Sequence, residues 1–445
     1  MGCIYLDHNA TTPTRPEVVE AMARCQAAGY ANPASQHQLG QRARRVLEEA
    51  RERIAALLGA RLNCPQADRL IFTSGGTEAN NLAILGMATA GQEETGGRGD
   101  AGTRGRGDND AQRQAERPSL ATSQSPESQN PKIPKSQNPQ EAPRPPGQLV
   151  VSAIEHASIL GPAEHLMEQG WRLDTLGVDS NGVVLVERLA PLLGARTRLV
   201  SVILGSHETG VLQPIEQLAA ICLAAGVPLH TDAVAVAGKL SIDFRGLGVA
   251  ALSVAAHKFQ GPLGIGALVL RDGVPLNPLL FGGHQQGGLR PGTESVVLAV
   301  GMQTALELWQ QGHEEHARRL TALRERFEAG VRAGYPEAVV HGHRAARLPN
   351  TSNIALPGLD GQILLLALDL AGVACSVGAA CASGSSELSP TLRAMGLAND
   401  LVASSLRFSL GATTTEGEVD EAARRIGRVC RELRGVPLAA GRPPA

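Results

Sequence analysis

The chain has 445 residues, with 41 Lys and Arg against 43 Asp and Glu and a formal net charge of −2. That length supports a large buried core and two domains, and the balanced charge excludes nucleic acid or an anionic membrane as a partner recognised by charge. The seven cysteines, Cys3, Cys25, Cys64, Cys222, Cys375, Cys381 and Cys430, are scattered, which argues against a disulfide framework and for a reducing, cytoplasmic setting.

The opening residues carry neither a basic segment nor a long apolar run, so no signal peptide is expected. The longest apolar runs fall short of a membrane span. Ile4-Tyr5-Leu6 reads as a short strand or arm and leads into Asp7-His8-Asn9-Ala10-Thr11-Thr12-Pro13. Pro16 stands where a helix can start, with Val18, Met22 and Cys25 at helical spacing. Asn32-Pro33-Ala34-Ser35 is a loop. Leu39, Ala43, Val46, Leu47, Ala50, Ile54, Leu57 and Leu58 then form one apolar stripe on a helix whose other face is Arg and Glu. Leu70-Ile71-Phe72 reads as a strand that runs into Thr73-Ser74-Gly75-Gly76-Thr77 and a further helix.

From 91 to 147 the composition turns to Gly, Arg and Asp and then to Pro, Gln, Ser and Asn, and Ser-Gln-Asn-Pro occurs twice. Such a stretch has too little apolar surface to offset its ordering entropy, so a disordered insertion within one domain is expected. Strands are expected at 149–153, 199–204, 227–230, 251–254 and 265–270, with apolar helical segments between several of them. This alternation predicts an α/β fold, a mostly parallel central sheet with helices on both faces and ligands at the strand ends. Helices follow over 298–333, broken near Gln311-Gly312, and then a strand–helix region. The predicted division is a large domain, 15–294, and a smaller α+β domain formed by 1–14 and 295–445.

Chemistry concentrates at a few places. Lys258 lies on a glycine-rich turn between two apolar runs, where desolvation frees an amine for Schiff-base formation. Asp232 lies 26 residues upstream, in Leu229-His230-Thr231-Asp232. A Schiff-base lysine with a buried aspartate on a pyridinium nitrogen is the pair that pyridoxal phosphate requires. Gly75, Gly76 and Thr77 join a strand to a helix, an arrangement whose backbone N–H groups and hydroxyl suit a phosphate. Cys381 sits among Gly, Ala and Ser, without the apolar company of a structural thiol. Arg407 stands between apolar residues in Ser405-Leu406-Arg407-Phe408-Ser409. Its fork suits a carboxylate, either a substrate's or that of a structural salt bridge.

Taken in order, Thr73-Ser74-Gly75-Gly76-Thr77, Glu155-His156, His207-Glu208-Thr209-Gly210, Asp232, His257-Lys258, Arg290-Pro291-Gly292-Thr293 and the Cys381 loop resemble the cysteine desulfurases, a group of fold-type I pyridoxal-phosphate enzymes within the class-V aminotransferases. The resemblance implies removal of sulfur from L-cysteine to give L-alanine and a persulfide on Cys381, for delivery to an acceptor in iron–sulfur cluster assembly or thio-modification. It implies that Lys258 carries the cofactor, that His156 stacks on its ring and moves protons, and that Gly76, Thr77, His207, Asp232 and His257 bind it. It further implies that Arg407 and Asn32 hold the substrate, that Thr293 reaches the phosphate of a second subunit in a homodimer, and that Cys381 makes transient iron–sulfur contact. Cys375 has no such role and reads as packing.

Three positions depart from the family pattern: His207 replaces an Asn, Ala235 a Gln and Ala255 a Ser. A fourth, Ala412, stands where Arg is frequent. Weakened cofactor retention is therefore expected. Selenocysteine lyase, or a sulfur-relay scaffold poor in cofactor, are the alternatives.

Overall fold

The computed structural model describes residues 2–90, 146–378 and 388–435. The expected insertion lies outside the described residues apart from Pro146 and Gly147, as does Cys381.

Twelve strands are described: β1 (Ile4–Tyr5), β2 (Arg69–Thr73), β3 (Gln148–Ser152), β4 (Arg172–Leu176), β5 (Thr197–Ser201), β6 (Leu229–Asp232), β7 (Ala251–Ala255), β8 (Gly266–Leu270), β9 (Val339–Val340), β10 (Thr351–Ala355), β11 (Val373–Ala374) and β12 (Ser405–Ser409). The central sheet has the order β2-β8-β7-β6-β5-β3-β4, and within it only β8 runs antiparallel to its neighbours. The carboxyl ends of β2, β3, β5, β6 and β7 therefore open on one edge, the edge at which α/β sheets bind ligands.

Twelve α-helices accompany them: α1 (Pro16–Ala27), α2 (Gln38–Leu57), α3 (Gly76–Asn81), α4 (Ala157–Glu168), α5 (Leu189–Leu192), α6 (Ile215–Ala224), α7 (Val296–Gln310), α8 (His313–Gly334), α9 (Gly361–Leu370), α10 (Pro390–Ala394), α11 (Asn399–Ala403) and α12 (Glu416–Arg434). Side-chain alternation along the strands sends Leu149 and Val151 to one face, where they meet Leu82 and Ile84 after α3 and Ile159 and Leu166 of α4. Val150, Val200, Leu252 and Val254 go to the other face, under Val18 of α1, Leu47 and Ile54 of α2, and Ala299 and Met302 of α7. Both faces are covered, as buried parallel strands require.

A second core gathers the chain's two ends. Ile4 and Leu6 pack with Phe327 of α8, Leu364 of α9, Phe408 of β12 and Ile426 of α12, and the Phe327 and Phe408 rings lie 5.0 Å apart. Here β12, β10 and β9 form an antiparallel sheet and β1 pairs in parallel with β11. The helical stretch expected over 298–333 is two helices, parted at the expected Gln311-Gly312. The first, α7, packs into the core of the central sheet and the second, α8, into the other core. Cys375 is packed against this second core, where burial pushes its thiol up to about 12.

Candidate active site

A cavity of about 270 Å³ lies at the carboxyl edge of the central sheet, with Lys258, Asp232, His156, His207, His257, Arg407, Gly76 and Thr77 among its lining residues. Most arrive there at or after the end of a strand of the central sheet or at the start of the helix that follows it; Arg407 comes from the middle of β12 in the antiparallel sheet. The sequence spreads them over more than 300 residues; the parallel topology brings them to one rim.

Lys258 follows β7, in a single turn that ends the strand. Its Nζ donates to the carbonyls of Asn9 at 2.5 Å and Ala10 at 3.0 Å. The arm that precedes α1 thus lies across the lysine turn. Thr12 ties it down from both sides, donating Oγ1–H to the His257 carbonyl at 2.7 Å and accepting from the Gln260 amide at 2.7 Å. His257 meets the Thr11 hydroxyl at 3.2 Å, and burial, with Lys258 and Lys239 nearby, holds it near 4. At pH 7 it is therefore neutral.

Asp232 ends β6 and is 3% exposed. Its Oδ1 accepts from the Val234 amide at 2.9 Å and its Oδ2 from Asn80 Nδ2 at 2.8 Å. Two donors aim the carboxylate and satisfy both of its oxygens in a buried setting. Gly76 opens α3 against Val234, where a Cβ would fall 2.8 Å from Val234 Cγ2 and 3.4 Å from Ala255 Cβ. Glycine is required there by close approach, and the approach opens the cavity to the backbone of that turn.

His156 has both a structural and a cavity-facing part. It caps α4, its Nδ1 accepting from the Ser158 amide at 3.1 Å, and its ring also lines the cavity, edge-on to His207 at 5.0 Å. An accepting Nδ1 leaves Nε2 as the protonated nitrogen of the neutral ring. His207 is pushed well down, first by burial and then by the cationic groups around it, so it is neutral. Arg407, buried on β12, forms the salt bridge that was its structural alternative, with Asp7 Oδ1 at 2.7 Å, and donates to the His207 carbonyl at 3.3 Å. It nonetheless faces the cavity, and its Nε has no partner among the described residues.

Asn32 and Thr293 do not line this cavity. Both line a separate hollow beside α1 and α7. The sequence also passed over several contributors: Asn9 and Ala10 behind the lysine, Asn80 on the aspartate, Lys239 in the lining, and Glu155 beneath it. Glu155 Oε1 accepts from Ser152 Oγ at 2.6 Å and the Ile203 amide at 2.7 Å. Burial, with Asp232 nearby, raises this carboxyl to about 8. A polar residue closing the apolar run Ala233–Gly238 was the available signal for Lys239; Asn80, between Ala79 and Asn81, carried none.

The lining fits pyridoxal phosphate. Lys239, Lys258 and Arg407 face it against one carboxylate, Asp232, among the described residues, so an anionic guest neutralises the site. His207 Nδ1, Arg407 Nε and Asn80 Oδ1 are buried polar atoms still without partners. Ala235 and Ala255 add only methyl groups, which leaves fewer donors than the family pattern supplies.

A family model described as Aminotransferase class-V matches residues 4–97 and 123–422. Cysteine desulfurase 2 of Trichormus variabilis is 35% identical over 436 residues, covering 98% of this chain and 95% of that one. Cysteine desulfurase NifS of Azotobacter vinelandii is 35% identical over 445 residues, covering 100% and 97%. The solved NifS-like protein of Rickettsia africae superposes with a TM-score of 0.76 at 27% identity, covering 96% of this chain and 99% of its own. With relatives matched almost end to end on either side of the expected insertion, the chain belongs to the class-V aminotransferases and, within them, to the cysteine desulfurases.

Proposed function

We propose that this protein uses pyridoxal phosphate to convert L-cysteine to L-alanine and passes the sulfur on through Cys381. The observation that carries the reading is the meeting of Lys258 and Asp232 on one cavity, at the ends of adjacent parallel strands.

Pyridoxal phosphate, when bound, supplies the electron sink that lets a proton leave the Cα of an amino acid. The chain's residues do the rest. Asp232, held by Asn80 and Val234, keeps a proton on the ring nitrogen. Arg407 orients the substrate carboxylate, with its unpartnered Nε as the available donor. The Lys258 amine, released when substrate displaces it, takes the Cα proton and returns it, and His156 Nε2–H serves as a second proton carrier. The Cys381 thiolate attacks the substrate sulfur: a new S–S bond forms, the Cβ–S bond breaks, and a proton completes the alanine methyl group. The cysteine persulfide then gives its outer sulfur to an acceptor protein.

Several finer readings belong to the same proposal. The protein acts as a homodimer in which Thr293 serves the partner's site; Phe281, 89% exposed on the segment before it, supports such an interface. The chain forms a large and a small domain, with the boundary after α7 and not at 294 as expected, because α7 packs on the core of the central sheet while α8 packs on the other. Six of the cysteines are free, which supports a reducing, cytoplasmic compartment, and no described helix is long and apolar enough to cross a membrane.

The test is to mix the protein, loaded with cofactor, with L-cysteine and a thiol reductant. Alanine and sulfide in equal amounts, both lost in Lys258→Ala, are expected. Alanine formation that survives in Lys258→Ala would overturn the reading.

A further inference from the structure

Lys239 is a second lysine in the cavity. It is 6% exposed, and among the described residues no carboxylate pairs with it. Its Nζ donates to the backbone carbonyl of Lys258 at 3.1 Å. The approach depends on Gly238, whose φ is +73° and whose Cβ, if present, would fall 2.0 Å from Phe259 Cβ. The turn that carries Lys239 is thereby pressed onto the turn that carries Lys258.

The groups around Lys239 come from every element packed on it. His257 and Lys258 lie on the β7 turn, and His8 lies on the N-terminal arm, held near 4 by burial and by Lys239 itself. Arg15 and His316 line the far wall of a second, small cavity that Lys239 and Lys258 also border. Asp232 lies across the active-site cavity. With His8 and His257 neutral at pH 7, the charges next to Lys239 are cationic. Burial, and then the charge of Lys258, bring Lys239 down to about 7. Two buried amines so placed do not both hold protons easily.

We propose that Lys239 is a positioning residue for the reaction: its Nζ, clamped to the Lys258 carbonyl, fixes the reactive turn, and while it carries its own proton it disfavours a second one on the Lys258 nitrogen. This rests on the reading of Lys258 as the cofactor-bearing amine. An ammonium on the reactive nitrogen neither attacks nor takes a proton, and a like charge close by weakens that nitrogen's hold on its proton.

The test is a pH titration of the visible absorption band of the cofactor-loaded full-length protein, from pH 5.5 to 10, for wild type, Lys239→Met and Lys239→Arg. Met fills the space without charge; Arg stays charged throughout. The midpoint is expected to rise by about one pH unit in Lys239→Met, the scale of one lost charge at short range, and to stay at or below the wild-type value in Lys239→Arg. Equal midpoints in all three proteins would overturn the proposal, as would equal upward shifts in both variants, which mark a steric role. Should Lys239→Met lose the band through misfolding, Lys239→Arg decides alone, an upward shift there refuting the charge effect. A wild-type protein that develops no band with added pyridoxal phosphate would fail the cofactor assignment itself, a different outcome from a band whose midpoint ignores Lys239.

Discussion

Asn80 donates to Asp232 Oδ2 at 2.8 Å and to Ser158 Oγ at 2.8 Å, tying the third helix to the aspartate on β6 and to the first turn of α4. The aspartate is thus aimed by a residue 152 positions away. Asn80→Ala leaves one carboxylate oxygen short of its donor. The expected result is roughly tenfold weaker cofactor binding, the loss of one hydrogen bond to a charged group. Asp232→Asn, which cannot hold a ring proton, is expected to lower the rate of alanine formation at least a hundredfold while leaving the fold intact. Cofactor absorbance titrations and alanine assays measure the two effects.

Arg407 reaches both Asp7 and the cavity. Lysine keeps its charge and loses the fork. Arg407→Lys is expected to raise KM for L-cysteine about 10- to 100-fold with a smaller change in kcat, because a carboxylate held away from the reacting bond contributes mainly to binding. Steady-state kinetics that show a fall in kcat alone would assign Arg407 to the Asp7 pair only.

Glu155 gives a prediction about stability and pH. Burial raises its folded-state carboxyl to about 8, whereas an unfolded glutamate titrates near 4.3. The stability contributed by the protonated form is fully present below the unfolded value and is lost as pH climbs from there through 8. Glu155→Gln, a neutral isostere that still accepts from the Ile203 amide, escapes that loss. Cofactor-free wild type and variant are expected to match in denaturant stability near pH 4.5, and the variant to lead by about 4 kcal/mol at pH 8.5. Parallel stability profiles would contradict the buried, protonated carboxyl.

Ala255, fully buried at the end of β7, and Ala235 line the cavity with methyl groups. Restoring donors, in Ala255→Ser or Ala235→Gln, is expected to tighten cofactor retention about 3- to 10-fold each. Gel filtration followed by absorbance of the retained cofactor measures it.

The legible part of the fold was the part written by local pattern. The stripe from Leu39 to Leu58 gave α2, the apolar runs beside Lys258 gave β7 and β8, and Gln311-Gly312 marked the break between α7 and α8. Strand β4 was not legible: Arg-Leu-Asp-Thr-Leu lies at the sheet edge, half exposed, and its pairing with β3 is its only strand contact in the sheet. In the site, residues that end apolar strands stood out: Asp232, Lys258 and His156. Asn9, Asn80 and Lys239 act through contacts across 19 to 249 positions that no local pattern encodes. The polar arm at 7–12 carried no pattern that marked a role, yet it lies across the lysine turn, because its carbonyls are acceptors for Lys258.

The central claim is that Lys258 is the amine that bonds to the cofactor. Borohydride reduction of the cofactor-loaded protein, followed by proteolysis and peptide mass spectrometry, reads that bond directly. A phosphopyridoxyl group on the peptide containing Lys258, and none on the peptide containing Lys239, is the expected result. The group found on Lys239, or on neither lysine of a protein that holds the cofactor, would contradict the account.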